Sequence, residues 1–340
     1  MKSPSRPAKI RDVAKLAGCS LATVSRVLND APYVEAGLRE RVLTATKKLQ
    51  YVPNGPARAL RSTTSRLVGA VIPTLSHAIY ATMIGGLQSR LAENKVSLII
   101  STSFYDLEIE KEQVRLLVEK GIESVVLVGS THLPETLQTL ERHNVNYVFT
   151  YTTEASKKGA AVGFDNVKAG ITAARYLYDL GHRHFGMIAG ITHDNDRAKG
   201  RLDGFLQGLK SFGIDTADIQ VVEAPYRIDS GYSAVQEILS RDKAITAVFC
   251  GSDILAAGAL KYCHHVGLKV PHQLSVLGFD NLEVAELTSP ELSTIEVPAN
   301  DMGRLAAEFI LAAPAKRNYT HQTELPIRLV MRRSTGPVQR

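Results

Sequence analysis

Apolar residues recur every three to four positions over the first fifty residues, then give way to short continuous apolar runs beyond Arg66. Ile10, Val13, Ala14 and Ala17 share one helical face. Gly18 and Cys19 interrupt the period, and glycine enters a left-handed turn without steric cost. Ser20 follows as N-cap of a second helix with Leu21, Val24, Val27 and Leu28 as inward positions. Its outward face carries Ala22, Thr23, Ser25, Arg26 and Asn29, short polar groups plus one guanidinium fork that suit phosphates and base edges. The pattern predicts a helix-turn-helix whose second helix is the reader, against the blander alternative of an ordinary helical hairpin. A third helix is expected over about residues 35–49, with Leu38, Val42, Ala45 and Leu49 as its stripe.

Tyr51 to Arg66 reads as a linker. Pro53, Gly55 and Pro56 oppose a stable isolated helix, yet Pro56 is tolerable in a first turn and Ala57 to Arg61 are good helix formers. Such a segment can fold only when something holds it. Strands are expected at Leu67–Ile72, Ser97–Ser101, Ser124–Val128, Tyr147–Tyr151 and Ala160–Phe164. A second series is Phe185–Ala189, Ile219–Glu223, Ala247–Cys250 and Leu274–Phe279, with a last strand at Leu325–Arg332. Helices between them include Tyr80–Glu93, Lys111–Lys120, Val167–Leu180, Gly200–Phe212, Gly231–Leu239 and Ile254–His265. Apolar strands alternating with amphipathic helices imply parallel sheets covered on both faces, here in two α/β lobes dividing near Asp165. A ligand in such sheets sits beyond the carboxyl ends of the strands.

Charge sharpens the division. Through Arg66 there are 13 Lys and Arg against 4 Asp and Glu, net +9, while the remainder holds 27 against 30, net −3. A basic head on a slightly acidic body points to a polyanion bound at one end. No stretch approaches the roughly 18 apolar residues of a membrane span, and no apolar leader follows MKSPSRPAK. Cys19, Cys250 and Cys263 form no CxxC pair, consistent with free thiols in a cytoplasmic protein.

Several motifs together resemble the lac-repressor (LacI/GalR) family of bacterial transcriptional regulators over essentially the whole chain. In the head they are Ile10 to Ala14, Ala17-Gly18 and Thr23 to Asn29; in the linker, Tyr51 to Asn54 and Ala57 to Leu60. In the body they are Gly181 to Arg183, Arg201 to Phe205, Thr246 to Ala259, Val270-Pro271, Ser275 to Asp280, Pro290 to Ile295 and Arg332 to Ser334. The resemblance implies an all-α helix-turn-helix head (1–50), a hinge helix or linker (51–66) and a two-lobed periplasmic-binding-protein-like body (67–340). Lobe 1 is expected over about 67–164 and 295–322, lobe 2 over about 165–294 and 323–340.

The implied function is sequence-specific repression by a homodimer on pseudo-palindromic double-stranded operator DNA, controlled by a small-molecule effector between the lobes. Leu21, Ala22 and Arg26 fall at the family's base-reading positions, and Thr23, Ser25, Asn29 and Tyr33 at phosphate positions. Asn54, Ala57 and Arg58 belong to the hinge, and Leu60 matches a leucine that wedges between base pairs. Effector contacts are expected from Thr74, Ser76, Tyr80 and Tyr151 on lobe 1 and from Arg197, Arg201, Ser252 and Asp280 on lobe 2. The chain also departs from the family. Tyr151 stands where sugar-responsive members carry Asp, and His77-Ala78-Ile79 where Asn-Pro-Phe is common. Losing an acceptor while Arg197 and Arg201 share a helical face turns the expected sugar toward a sugar acid. Glu35 replaces the usual Ser cap, so helix three should begin less sharply.

Neither enzyme chemistry nor metal binding is expected. GxGxxG after the first strand, GxxxxGK[ST] and GxSxG are all absent. His182 with His184, and His264 with His265, lack i, i+4 spacing and a neighbouring ligand set. A solute-binding protein or an α/β enzyme on the same body is the alternative, and the basic head counts against both. No cofactor is implied, and without a leucine-heptad tail the expected assembly stops at the dimer.

Overall fold

A computed structural model describes residues 7–28, 31, 33–52, 65–154, 159–312 and 321–338. The chain forms two compact units, residues 1–65 and 66–340. Asn29, Asn54, Ala57, Arg58 and Leu60 lie outside the described residues, as does the expected hinge helix.

The first unit contains α1 (Ile10–Ala17), α2 (Leu21–Leu28) and α3 (Ala36–Lys48). The Asp12 carboxylate accepts the Lys9 N–H at 2.8 Å, closing the start of α1, and Gly18 ends it at φ 65°. Ser20 caps α2 by accepting the Thr23 N–H at 3.1 Å. Val13, Val24 and Val42 are fully buried, one from each helix, with Ala14, Ala17, Val27 and Ala45 around them. Leu21 is not inward as the periodicity suggested: it is 51% exposed. At 100° per residue it lies about 90° from the centre of the stripe that Val24 and Val27 define, so the helix carries it past the core edge. Glu35 makes no side-chain cap to α3; its carbonyl accepts the Leu38 and Arg39 N–H groups instead.

The second unit is two α/β lobes. The first sheet has the order β11-β5-β4-β3-β1-β2, all parallel, from β1 (Leu67–Ile72), β2 (Ser97–Thr102), β3 (Ser124–Val128), β4 (Asn146–Thr150), β5 (Ala160–Gly163) and β11 (Gln322–Glu324). The second has the order β12-β10-β9-β8-β6-β7, from β6 (Phe185–Gly190), β7 (Gln220–Ala224), β8 (Ala247–Cys250), β9 (Ser275–Asp280), β10 (Ser293–Glu296) and β12 (Arg328–Val330), with only β12 antiparallel. Strands β10 and β11 escape the sequence reading, because STIE and QTE are short and polar and owe their extension to their ladders. They also move the lobe boundaries. Glu296 pairs with Asp280 in the second sheet, and Glu324 with Gly163 in the first. The chain therefore recrosses near 297 and 325, slightly later than the expected 295 and 323.

Helices on lobe 1 are α4 (Ala78–Glu93), α5 (Leu107–Glu119), α6 (Pro134–Arg142) and α12 (Ala299–Ala312). Lobe 2 carries α7 (Asn166–Asp179), α8 (Asp196–Ser211), α9 (Ile228–Arg241), α10 (Asp253–Val266) and the short α11 (Val284–Leu287). Polar caps advance several starts beyond the apolar pattern: Asp106 caps α5, Asp165 caps α7, and Asn195 caps α8, whose first residue lies four positions before Gly200. No helix among the described residues is long and apolar enough to cross a membrane.

Glycines set how closely helix pairs approach. A Cβ on Gly204 of α8 would sit 2.0 Å from the Val167 carbonyl of α7, and one on Gly86 of α4 would sit 2.2 Å from the Asn300 carbonyl of α12. Gly85, next along α4, faces open space. Gly86→Ala should therefore destabilise the body by about 1–3 kcal/mol through overpacking. Gly85→Ala should be neutral or stabilise by about 0.5–1 kcal/mol through helix propensity. Paired thermal and urea unfolding curves distinguish the two neighbours; equal effects would mean that α4 and α12 are not in contact at Gly86.

Candidate functional site

Where the two sheets present their carboxyl ends to each other, a narrow cavity of about 40 Å³ opens between the lobes. Six of the eight expected effector residues line it: Tyr80, Tyr151, Arg197, Arg201, Ser252 and Asp280. Thr74 and Ser76 do not; the Thr74 hydroxyl accepts the Ser76 N–H at 3.0 Å within their own loop. Tyr105 and Tyr226 were not anticipated, although each directly follows a strand, β2 and β7, where ligand-facing residues are expected in such sheets.

Arg201, in the second turn of α8, is only 7% exposed. Its Nη1 donates to Asn166 Oδ1 at 2.7 Å, its Nη2 to the Tyr226 hydroxyl at 3.2 Å, and its guanidinium lies 4.6 Å from the Phe279 ring centroid. Its Nε is buried with no hydrogen-bond partner among the described residues. Asn166 caps nothing here; its amide donates to the Tyr151 carbonyl at 3.0 Å and so connects α7 to the end of the first sheet.

Asp280 ends β9 with φ 110°, and Asn281 follows at φ 56°. Burial, then the Asp253 charge, drive the Asp280 carboxyl well above the ordinary carboxylate range, against the pull of Arg201 and Ser252. Beneath this turn Asp253 is fully buried. Its carboxylate accepts the Leu282 N–H at 2.7 Å and the Thr294 hydroxyl at 2.6 Å. Burial nevertheless pushes its pKa up to about 7. Asp253 thus holds the turn that presents Asp280.

Aromatic rings fill the rest. His77 stands edge-on to Tyr226 across the cleft at 5.3 Å, and its ring donates to the Tyr226 carbonyl. Its Nδ1 lies 3.2 Å from the Tyr105 hydroxyl, which lies 3.3 Å from that of Tyr80. Tyr151 donates its hydroxyl to the Ile79 carbonyl at 2.9 Å, so that group points into lobe 1. Arg197 lines the cavity but is already engaged: Nη1 donates to the Val128 carbonyl at 3.0 Å and to Asp196 at 2.6 Å. The paired-arginine case for an anionic ligand therefore loses one of its two cations. His182 is buried against Thr246, Ser275 and the Gly336 carbonyl. Among the described residues, no three His, Cys, Asp or Glu side chains are grouped to hold a metal.

In the head, Leu21, Ala22 and Arg26 are exposed on α2. Thr23 is half-buried, its hydroxyl 2.9 Å from Ser20 Oγ, and Ser25 is half-buried as well. Tyr33 is 97% exposed. Apolar Leu21 and forked Arg26 on one open helix face form a surface that can meet a methyl group and a hydrogen-bonding base edge.

The chain was compared with known proteins. Residues 9–54 match the family described as bacterial regulatory proteins, lacI family, and residues 174–335 match a periplasmic binding protein-like domain. The HTH-type transcriptional repressor PurR of Klebsiella pneumoniae subsp. pneumoniae is 33% identical over 332 residues, covering 97% of either chain. A LacI family transcriptional regulator from Silicibacter pomeroyi superposes with TM-score 0.85 at 28% identity, covering 97% of this chain and 99% of that one. The lac repressor dimer bound to operator and the anti-inducer ONPF superposes with TM-score 0.84 at 26% identity, covering 97% and 100%.

The buried carboxyls give the body a pH signature. A folded pKa raised from 3.8 to about 7 means that the contribution of Asp253 is whole below pH 3.8 and is lost as pH rises through about 7. The melting temperature should therefore fall between about pH 4 and 7, the span between the ordinary and the folded carboxyl values. Asp253→Asn should shrink that fall, leaving the part due to Asp280. An unchanged slope in calorimetry would assign the pH dependence to other groups.

Proposed function

Because this chain belongs to the lacI family of bacterial regulatory proteins, DNA-binding repressors with an effector-binding body, we propose that its effector is a small hydroxylated ring, a sugar, bound between the lobes. Arg201 Nε carries the proposal: a buried guanidinium N–H with no hydrogen-bond partner among the described residues, beside the Asp280 carboxyl. A donor and an acceptor side by side match vicinal hydroxyls, each of which can accept from one and donate to the other. The rings of Tyr105, Tyr226 and Phe279 supply apolar faces for the ring's C–H edges. An acidic sugar is the weaker match, since Asp196 already neutralises Arg197. A site of about 40 Å³ is far below the roughly 300 Å³ of common ligand pockets, so the lobes or the rings must part on entry. That movement is a means of coupling ligand to the DNA-binding head.

On the DNA side, each head of a homodimer places α2 in a major groove, with Arg26 forking to a guanine and Leu21 and Ala22 against thymine methyls. Thr23, Ser25 and Tyr33, and the undescribed Asn29, hold phosphates; the hinge residues act in the minor groove.

Two experiments test these halves separately. In a thermal-shift screen of sugars, sugar acids and purines on the full chain, a neutral sugar should raise the melting temperature. Asp280→Ala should abolish that shift while operator binding persists; a shift retained in the variant would move the site elsewhere. Arg26→Ala should cost about 1–3 kcal/mol of discrimination between a selected twofold-symmetric duplex and a scrambled one, and less in nonspecific affinity at fixed salt. Proportionate loss of both would make Arg26 a phosphate contact.

A further inference from the structure

The first turn of α8 grips the end of β3 across the lobe boundary. Asp196 Oδ2 accepts the Ser130 N–H at 2.9 Å and the Ser130 hydroxyl at 3.1 Å. Arg197, 7% exposed, donates to the Val128 carbonyl at 3.0 Å, and the two side chains bond to each other at 2.6 Å. Between these contacts stands Gly129, at φ +87°. A Cβ there would lie 1.8 Å from Arg197 Nη1 and 2.4 Å from Asp196 Oδ1. Only glycine supplies both the backbone turn and the space for two side chains from the other lobe.

Lobe 1 braces the same peptide from behind. The Gly129 N–H donates to the Thr150 carbonyl at 2.8 Å, continuing the sheet. The Gly129 carbonyl lies 3.1 Å from Nε2 of buried His132, whose Nδ1 is 2.7 Å from Glu110. The gripped run is therefore rigid on its own lobe, and the grip comes from the other. On α8, Asn195 caps the helix by accepting the Ala198 N–H at 3.3 Å, and an acidic residue in the first turn suits the positive helix end.

We propose that Asp196 and Arg197 are positioning residues, a clasp that seats lobe 2 on lobe 1 and sets the width of the cleft, and that Arg197 is not a ligand for the effector. The clasp is defined by contacts within the protein and needs no metabolite to be tested. Its effect on effector affinity rests on the cleft reading above. A half-clasp is worse than none: removing one member of a buried charged pair leaves the other unneutralised away from water. Single substitutions should therefore open the lobes rather than be absorbed.

Amide hydrogen exchange on the full chain, without added metabolite, provides the test and its own control. The Ser130 and Gly129 amides are chain neighbours, but Ser130 bonds across the boundary and Gly129 within lobe 1. Asp196→Ala should speed exchange at Ser130 by about tenfold or more while Gly129 keeps its protection, the pattern of a local opening. Asp196→Asn keeps an acceptor but loses the charge, and should give an intermediate rate if the alanine variant folds poorly. A second readout is the distance between spin labels at exposed Glu112 on lobe 1 and Lys210 on lobe 2, with Cys19 replaced. It should lengthen or broaden in both variants, and in Gly129→Ala. Unchanged Ser130 exchange, equal deprotection of both amides, or an unaltered label distance would each overturn the clasp.

Discussion

A guanidinium taken out of water needs partners on every side, and the centre of the body is organised around that need at Arg201. Asn166 comes from the first residue of α7, Tyr226 from the loop after β7, Phe279 from β9 and Asp280 from its end. Three separate segments must arrive at α8 together before the charge is tolerable. Their arrival depends in turn on the contact of α7 with α8, which Gly204 permits by lacking a side chain against the Val167 carbonyl. The arrangement engages both terminal nitrogens of Arg201 and leaves Nε without a hydrogen-bond partner among the described residues. That N–H is the donor on which the proposed recognition of a ligand hydroxyl rests.

The loop that presents Asp280 is held just as firmly. Asp253, buried below it, takes the Leu282 N–H and the Thr294 hydroxyl, and so connects α10 to the turn and to β10. Arg332 adds a second brace, donating to Asn281 at 2.9 Å and to the Leu292 carbonyl at 3.0 Å. Positive φ at Asp280 and Asn281 persists because these contacts over-determine the turn. Lobe 2 therefore offers a fixed half-site, against which the rings of lobe 1 close. The small cavity follows from this closure, with Tyr105 and Tyr226 only 6.1 Å apart between centroids.

The head obeys a different economy of forces. Its core is seven buried side chains, all small, none larger than valine. Such a core stabilises three short helices only modestly, and leaves the outer face of α2 open. Positive charge is concentrated in the head and the linker, with net +9 through Arg66 against −3 beyond it. Long-range attraction to a polyanion and close metabolite recognition are thus assigned to different units.

Local periodicity made most of this legible before any coordinates. The three head helices and the alternation of strands and helices follow from spacing, because a helix or strand writes its own repeat into the chain; the six cavity residues were expected from the family resemblance. Tertiary structure alone decided the remainder. Leu21 faces outward because its angle on the helix lies past the edge of the core that the other two helices form; β10 and β11 are strands because a neighbour's edge makes them so. Arg197 reads as a ligand-binding arginine beside Arg201, and only the peptide at Gly129, 68 residues away in sequence, shows what it holds. A residue's period is encoded next to it, but its partner is set by how distant segments meet, and no local pattern carries that information.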